Sequence, residues 1–413
     1  MNLKPVLTLW PAGLLMIAGS AYADLSPYSL SATETIEHES NVSHTTIASP
    51  DWLSTTELQA GLDQTLGRER LTASGEFDIN RYKRGHLNNN GYDLTGEFDW
   101  STINDLSGVI GADSSKRQYI YGLDGEQAST TNNSQHTDHV FARAQLGGVT
   151  HLTLFSGIDA TQRKYSDPAF APNEVRQWSV NGGTRYQTSP DLNFGLVATY
   201  TKGAYPHAIL QTLPTEEIGS DGFDIKSLDA TTTWQASGNS NFDLRAGYTV
   251  EDNDIEPQRK YWNGDLIWTW TPGGRLKVTT ELERDTDADA TLSSGGSVAS
   301  NNLVGHSLNT TVHLTLTYEL TAKINILAGA QYTERKYAPG TLPVLLGQSV
   351  ASDGSGENRT SQFSIAAHYA PILNTDLSCS FIREVRRSDA QIALFTPAYS
   401  ANNALCSAQI QFR

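Results

Sequence analysis

Apolar and polar residues alternate along most of this chain. Leu308, Thr310, Val312, Leu314, Leu316, Tyr318 and Leu320 share one face, and Asn309, Thr311, His313, Thr315, Thr317 and Glu319 share the other. After Thr321-Ala322 the alternation resumes with Ile324, Ile326, Ala328, Ala330 and Tyr332. A period of two sends successive side chains to opposite sides of a pleated strand. Globular strands run about five or six residues, whereas a strand tilted across a bilayer needs roughly nine to eleven. Runs of this length point to membrane strands.

The same grammar repeats along the chain and predicts about eighteen strands between turn signals. They fall near 28–38, 52–64, 70–82, 91–100, 105–116, 136–146, 149–165, 175–187, 191–202, 222–236, 241–251, 259–271, 275–285, 305–320, 323–337, 359–370, 375–387 and 403–413. In one, Tyr92, Leu94, Gly96, Phe98 and Trp100 alternate with Asp93, Thr95, Glu97 and Asp99. A charged row of this kind cannot be buried dry without partners, so it meets water. Connections alternate as well. Short ones such as Gly67-Arg68-Glu69, Gly147-Gly148, Pro272-Gly273-Gly274 and Thr321-Ala322 are separated by longer ones near 39–51, 117–135, 203–221, 286–304 and 338–358. The pattern predicts an all-β, transmembrane, antiparallel up-and-down β-barrel with short periplasmic turns and long extracellular loops. Trp100, Tyr186, Trp234, Trp270, Tyr318, Tyr369 and Phe412 recur at the periplasmic ends of even-numbered strands, as an aromatic girdle would.

Residues 1–23 carry Lys4, an apolar run through Leu14, Leu15, Met16 and Ile17, and the ending Ala21-Tyr22-Ala23, which reads as a secretory signal peptide. The domain expectation is therefore a signal peptide over 1–23 and an outer-membrane barrel over 24–413. Overall polarity sharpens this reading, because 38% hydrophobic residues and a mean hydropathy of -0.39 do not suit a helical membrane protein. A barrel needs only the lipid-facing half of each strand to be apolar. A net charge of -16 argues against nucleic acid as a partner. Cys379 and Cys406 fall opposite one another across the final hairpin, either as a disulfide or as two free lipid-facing residues.

Candidate chemistry is sparse. No nucleophile elbow, zinc-protease motif or P-loop is present, so no catalytic residues, cofactor or enzymatic activity is expected. His136 and His139 would point to opposite faces of a strand and could not share a metal. Asp285, Asp287 and Asp289 resemble the start of a calcium loop, but Ala290 and Gly296 replace the glycine and the bidentate glutamate that such a loop requires. The expected functional surface is the lumen. Its acidic positions are Glu57, Glu76, Asp78, Asp93, Glu97, Asp99, Asp243, Asp265, Glu281 and Glu283, and its basic ones are Arg143, Arg163, Arg185, Arg245 and Lys277. Charges of opposite sign across a pore create a transverse field. Sixteen to eighteen strands leave an aqueous channel, and the apolar runs in 203–221 and 338–358 suggest loops that fold inward or onto the rim.

The opening strand LSATETIEHESNV, the hairpin GLDQTLGRERLTAS, and the segments GGVTHLTL and YELTAK together resemble the EpsL-type outer-membrane proteins of exopolysaccharide biosynthesis. The resemblance implies a barrel that takes part in exporting a bacterial exopolysaccharide, with that polymer, outer-membrane lipid and a periplasmic polysaccharide-export protein as partners. It supplies no catalytic residues. Barrel grammar by itself also fits a general diffusion porin for small polar solutes.

Overall fold

The computed structural model describes residues 27–85, 87–103, 105–119, 132–147, 151–211, 217–254, 258–287, 291–292, 303–304, 307–337, 356–390 and 397–412. The expected signal peptide lies outside these residues, as do most of 338–358 and the centre of the calcium-like loop.

Alternating polarity becomes a wall of long strands. They are β1 (Tyr28–Glu39), β2 (Asp51–Leu66), β3 (Glu69–Tyr82), β4 (Asn89–Ser101), β5 (Leu106–Gln118), β6 (Ser134–Leu146), β7 (Leu152–Tyr165), β8 (Val175–Ser189) and β9 (Leu192–Gln211), followed by β10 (Glu217–Ser237), β11 (Ser240–Asn253), β12 (Arg259–Trp270), β13 (Leu276–Asp287), β14 (Ser307–Thr321), β15 (Ile324–Tyr337), β16 (Glu357–Ile372), β17 (Thr375–Ser388) and β18 (Tyr399–Phe412). Together they form one 18-stranded antiparallel sheet. Each strand pairs with its neighbours in sequence, and β1 pairs with β18 from Leu30↔Phe412 to Glu39↔Asn403, which closes the barrel. A two-residue ladder, Thr291–Leu292 with Leu303–Val304, lies in the β13–β14 connection.

Outward positions form an apolar belt. Leu30, Ile36, Leu58, Ile110, Ile158, Leu196, Leu228, Phe363 and Ile365 are all exposed on this face. So much contiguous apolar surface would be unfavourable in water; in a bilayer it is the solvated face. Tyr186, Trp234, Trp270, Tyr318, Tyr369 and Phe412 rim the belt at the ends joined by the short turns. Trp100 belongs to the same row, its ring lying over Gly108 on β5, where a Cβ would collide with it at 2.6 Å. A closed barrel leaves no backbone group unpaired toward lipid, and a barrel with this belt and this aromatic girdle is a bacterial outer-membrane protein.

Two outer-face features depart from plain hydrophobicity. Glu34 is exposed in the middle of β1, with its carboxylate oxygens accepting from Ser54 Oγ and Thr56 Oγ1, each at 2.6 Å. Cys379 and Cys406 are register partners on β17 and β18 and are joined as a disulfide, which resolves the two alternatives left open by their spacing.

The expectation for 203–221 is corrected. Most of the described residues in this stretch are strand, not loop: β9 runs on to Gln211 and β10 starts at Glu217, reaching 20 and 21 residues and pairing antiparallel. Bulges between Glu217 and Ile218 and between Gly219 and Asp221 break the alternation there, which hides the strands from a period-two reading.

Candidate functional site

Residues facing away from lipid line a cavity of about 1860 Å³. Arg68, Ser101 and Ser107 border it beside the short turns, and His44, Tyr82 and Gln118 border it at the far ends of the strands, so it runs the height of the wall. Much of its lining is hydroxyl and amide: Thr33, Thr35, Thr55, Gln59, Asn80 and Thr199.

The sequence-predicted residues divide into those on the cavity and those beside it. Glu57, Glu76, Asp78, Asp99, Arg143, Arg185, Asp243, Arg245, Asp265, Glu281 and Glu283 border the space. Asp93 lies on the same face of β4 and pairs with Arg117, which borders the cavity. Glu97, Arg163 and Lys277 hold inward register positions, opposite Thr72, Thr137 and Thr317 respectively, but do not border the cavity.

Curvature gathers these groups into three sectors. On β2 and β3, Glu57, Glu76 and Asp78 bring carboxylate oxygens within 4.8 Å of one another, the grouping among the described residues with donor atoms suited to a cation. Gln59 Nε2 donates to Glu76 Oε2 at 3.1 Å beside them. On β10 to β13, Arg245 is enclosed by carboxylates: its Nε donates to Asp265 at 2.6 Å, Nη1 to Asp229 at 3.4 Å and Nη2 to Asp285 at 3.5 Å. Asn263 Nδ2 donates to the same Asp229 oxygen at 3.2 Å.

On β6 to β8 the sign reverses. Arg143 lies 4.6 Å over the Phe141 ring, and Arg185 lies 5.7 Å over Phe155. Both rings lie flat against the wall because glycines on the adjacent strands leave room: a Cβ at Gly111 would meet Phe141 at 2.4 Å, and one at Gly183 would meet Phe155 at 2.6 Å. The rings therefore act as platforms for the guanidinium groups and do not obstruct the lumen. Sequence reasoning located the arginines but missed the platforms; the Phe-to-Gly pairing across strands was the available signal.

Two folded connections pack against the strand ends opposite the short turns. Residues 40–50 bend inward so that His44 stacks on Tyr399 at 4.7 Å, with an interplanar angle of 5°. His44 Nε2 lies 2.7 Å from Glu39 Oε1, Arg386 covers the other aromatic surface at 4.8 Å, and Tyr399 also donates to Glu384. Across the barrel the 3-10 turn Pro168–Asn173 tucks Phe170 against Tyr119 and Tyr165. Beside it Val175, Tyr205, Ala208 and Phe223 form a buried apolar cluster between β8, β9 and β10. Ala208 thus packs inside a strand hairpin, not in a rim loop. The second apolar run, 342–346, lies outside the described residues.

The histidine expectation fits the geometry. His136 faces out toward Asp138 at 3.0 Å and Tyr92 at 3.1 Å, whereas His139 faces in, between Asp113 at 2.9 Å and Asp159 at 3.4 Å. Asp285, the first residue of the calcium-like stretch, is directed to Arg245.

No family model and no curated protein matches the chain. Among solved structures it is similar to the siderophore receptor PirA from Pseudomonas aeruginosa, at 11% identity over 95% of this chain and 82% of that one, with a TM-score of 0.48. It is also similar to Pseudomonas aeruginosa OpdL, at 11% identity over 94% and 98% of the two chains, TM-score 0.47, and to Acinetobacter baumannii OccAB3, at 10% identity over 93% and 98%, TM-score 0.47. At such identities the likeness concerns the fold alone.

Proposed function

We propose that this barrel is a water-filled outer-membrane channel for small polar solutes. The observation that carries the reading is the charge-lined cavity bordered both by residues at the short-turn ends of the wall and by residues at its outer mouth. Lumen-facing charges set the selectivity of such pores. Carboxylates outnumber cations on this wall, at Glu57, Glu76, Asp78, Asp99, Asp243, Glu281 and Glu283 among others, so cations are expected to pass in preference to anions. Reconstitution in a planar bilayer tests the proposal: stepwise conductance with potassium favoured over chloride is expected, and a bilayer that stays silent at every applied voltage defeats it.

A second reading is export of an exopolysaccharide in company with a periplasmic polysaccharide-export protein. It is supported by the sequence resemblance to the EpsL-type proteins and by the hydroxyl- and amide-rich lining at Thr33, Thr35, Thr55, Gln59 and Asn80, which can replace water around a sugar chain. Deleting the gene separates the two. Loss of secreted polymer with unchanged uptake of small solutes favours export, and the opposite result favours the solute channel.

A further inference from the structure

The β6–β8 sector stands out within an otherwise acidic lumen. Among the described residues Asp159 is the one carboxylate on the inward face of β6 to β8, and Asp113, facing in from the adjacent β5, is paired with His139. To one side lie Glu57, Glu76 and Asp78; to the other lie Asp229, Asp243, Asp265, Glu281 and Glu283. Asp159 is already engaged. One of its oxygens takes Arg143 Nη2 at 3.3 Å and His139 Nε2 at 3.4 Å, and the other accepts from Asn181 Nδ2 at 3.5 Å. Arg185 has no carboxylate partner among the described residues; its guanidinium rests on Phe155. The Nε of Arg143 is buried and also makes no hydrogen bond.

Register places these groups as neighbours on three adjacent strands. Arg143, Gln145, Phe155, Asn181 and Arg185 all border it, on three successive strands. Gly157 lets the Arg143 stem lie across β7 toward Asn181, since a Cβ at Gly157 would stand 3.2 Å from Arg143 Cγ. A guanidinium fork matches a carboxylate through paired N–H donors. Stacking on a ring fixes the plane of that fork and leaves its donors directed along the wall.

We infer that Arg185 and Arg143, with Asn181 in the cross-strand row of Arg143 and on the same strand as Arg185, form a binding site for a small monocarboxylate carrying several hydroxyl groups, a sugar acid. The guanidiniums take the carboxylate, and Asn181 and Gln145 supply amide contacts to hydroxyls. The acidic walls on both sides repel a polyanion, which limits the ligand to one negative charge on an otherwise neutral body. This inference rests on the channel reading and names a solute class for it.

Galacturonate and its neutral counterpart galactose are the probes, in calorimetric titrations of the detergent-purified barrel and as blockers of single-channel current. Galacturonate is expected to bind more tightly than galactose. Arg185→Gln should weaken galacturonate roughly tenfold, the scale of one charge-assisted contact, while Arg185→Lys recovers only part of the loss because it restores charge without the fork. Lys277→Gln removes an equal charge from the inward face of β13 and should change galacturonate binding by less than about twofold, as expected for a charge outside the contact. Heat-modified gel migration confirms that each variant is folded. Equal binding of the two sugars by the wild type, or equal losses in Arg185→Gln and Lys277→Gln, overturns the site. Selective binding without conductance sinks the channel reading while leaving the site standing.

Discussion

Arg245 on β11 and Arg185 on β8 face the same lumen from one continuous sheet, yet their surroundings are opposite. Arg245 spends its donors on Asp229, Asp265 and Asp285, and Asn263 closes the group behind it. Arg185 meets an aromatic ring and open cavity. The first cation is part of the wall: it neutralises carboxylates that would repel one another, and one of them, Asp229, is only 5% exposed. The second keeps its charge available to a solute. Identical residue types at matching inward positions thus diverge through what neighbouring strands present to them, so a charge map drawn by residue type overstates the number of cations a permeating solute would meet.

Variants can break this contrast, the most disruptive first. It presupposes that the face of β13 is correctly assigned, with Glu281 and Glu283 on the cavity and Leu282 exposed to lipid at 44%. Leu282→Arg should cost about 2–4 kcal/mol, the expense of an arginine on the lipid face near the midplane, read as a lower urea midpoint for unfolding from detergent. A harmless Leu282→Arg would shift the β13 register by one residue and dissolve the carboxylate group around Arg245.

Next comes Arg245→Gln, which leaves Asp229, Asp265 and Asp285 without their counter-charge. Stability should fall by about 2–3 kcal/mol, below the roughly 3–5 kcal/mol for breaking a fully buried pair because water reaches this one. The double variant Arg245→Gln/Asp265→Asn should recover part of that loss. Additive losses in the same urea titration would mean that the two residues do not act as a unit.

Smaller effects sharpen the comparison. Glu281→Gln should lower the preference for potassium over chloride, measured as a reversal potential across a salt gradient, and leave the barrel's stability unchanged within about 0.5 kcal/mol. Arg185→Gln should raise that preference at a stability cost of about 1 kcal/mol, the scale of a half-buried stacked cation. Reversal potentials that move in the same direction would show that the two sectors do not differ in the charge they offer a passing ion.

Alternation made the barrel legible because lipid and water impose opposite demands on neighbouring side chains, and β4, β11 and β14 satisfy both without interruption. The upper half of the β9–β10 hairpin was not legible. Above the membrane no lipid enforces the pattern, Pro206 interrupts the run, and bulges near Gly219 shift the phase. At the candidate site, the inward positions of Arg143 and Arg185 follow from parity. What each touches depends on cross-strand geometry that no local pattern encodes, which is why Phe155 and Gly183 entered only with the structure. The His44–Tyr399 stack is more distant still, joining the first connection to the last strand.

The seam between β1 and β18 constrains the order of folding. Every other pair in the wall joins strands adjacent in sequence, so each can form as a hairpin soon after its residues are available. The seam alone requires the two ends of the described chain, and contacts of such long separation form slowly. Until then β1 and β17 or β18 present open edges, the kind of surface that invites pairing with another chain. The Cys379–Cys406 bond, 27 residues apart in sequence, fastens β18 to β17 independently of the seam. The last strand can therefore reach β1 as half of a joined hairpin, and the ring closes by docking two edges that are already built.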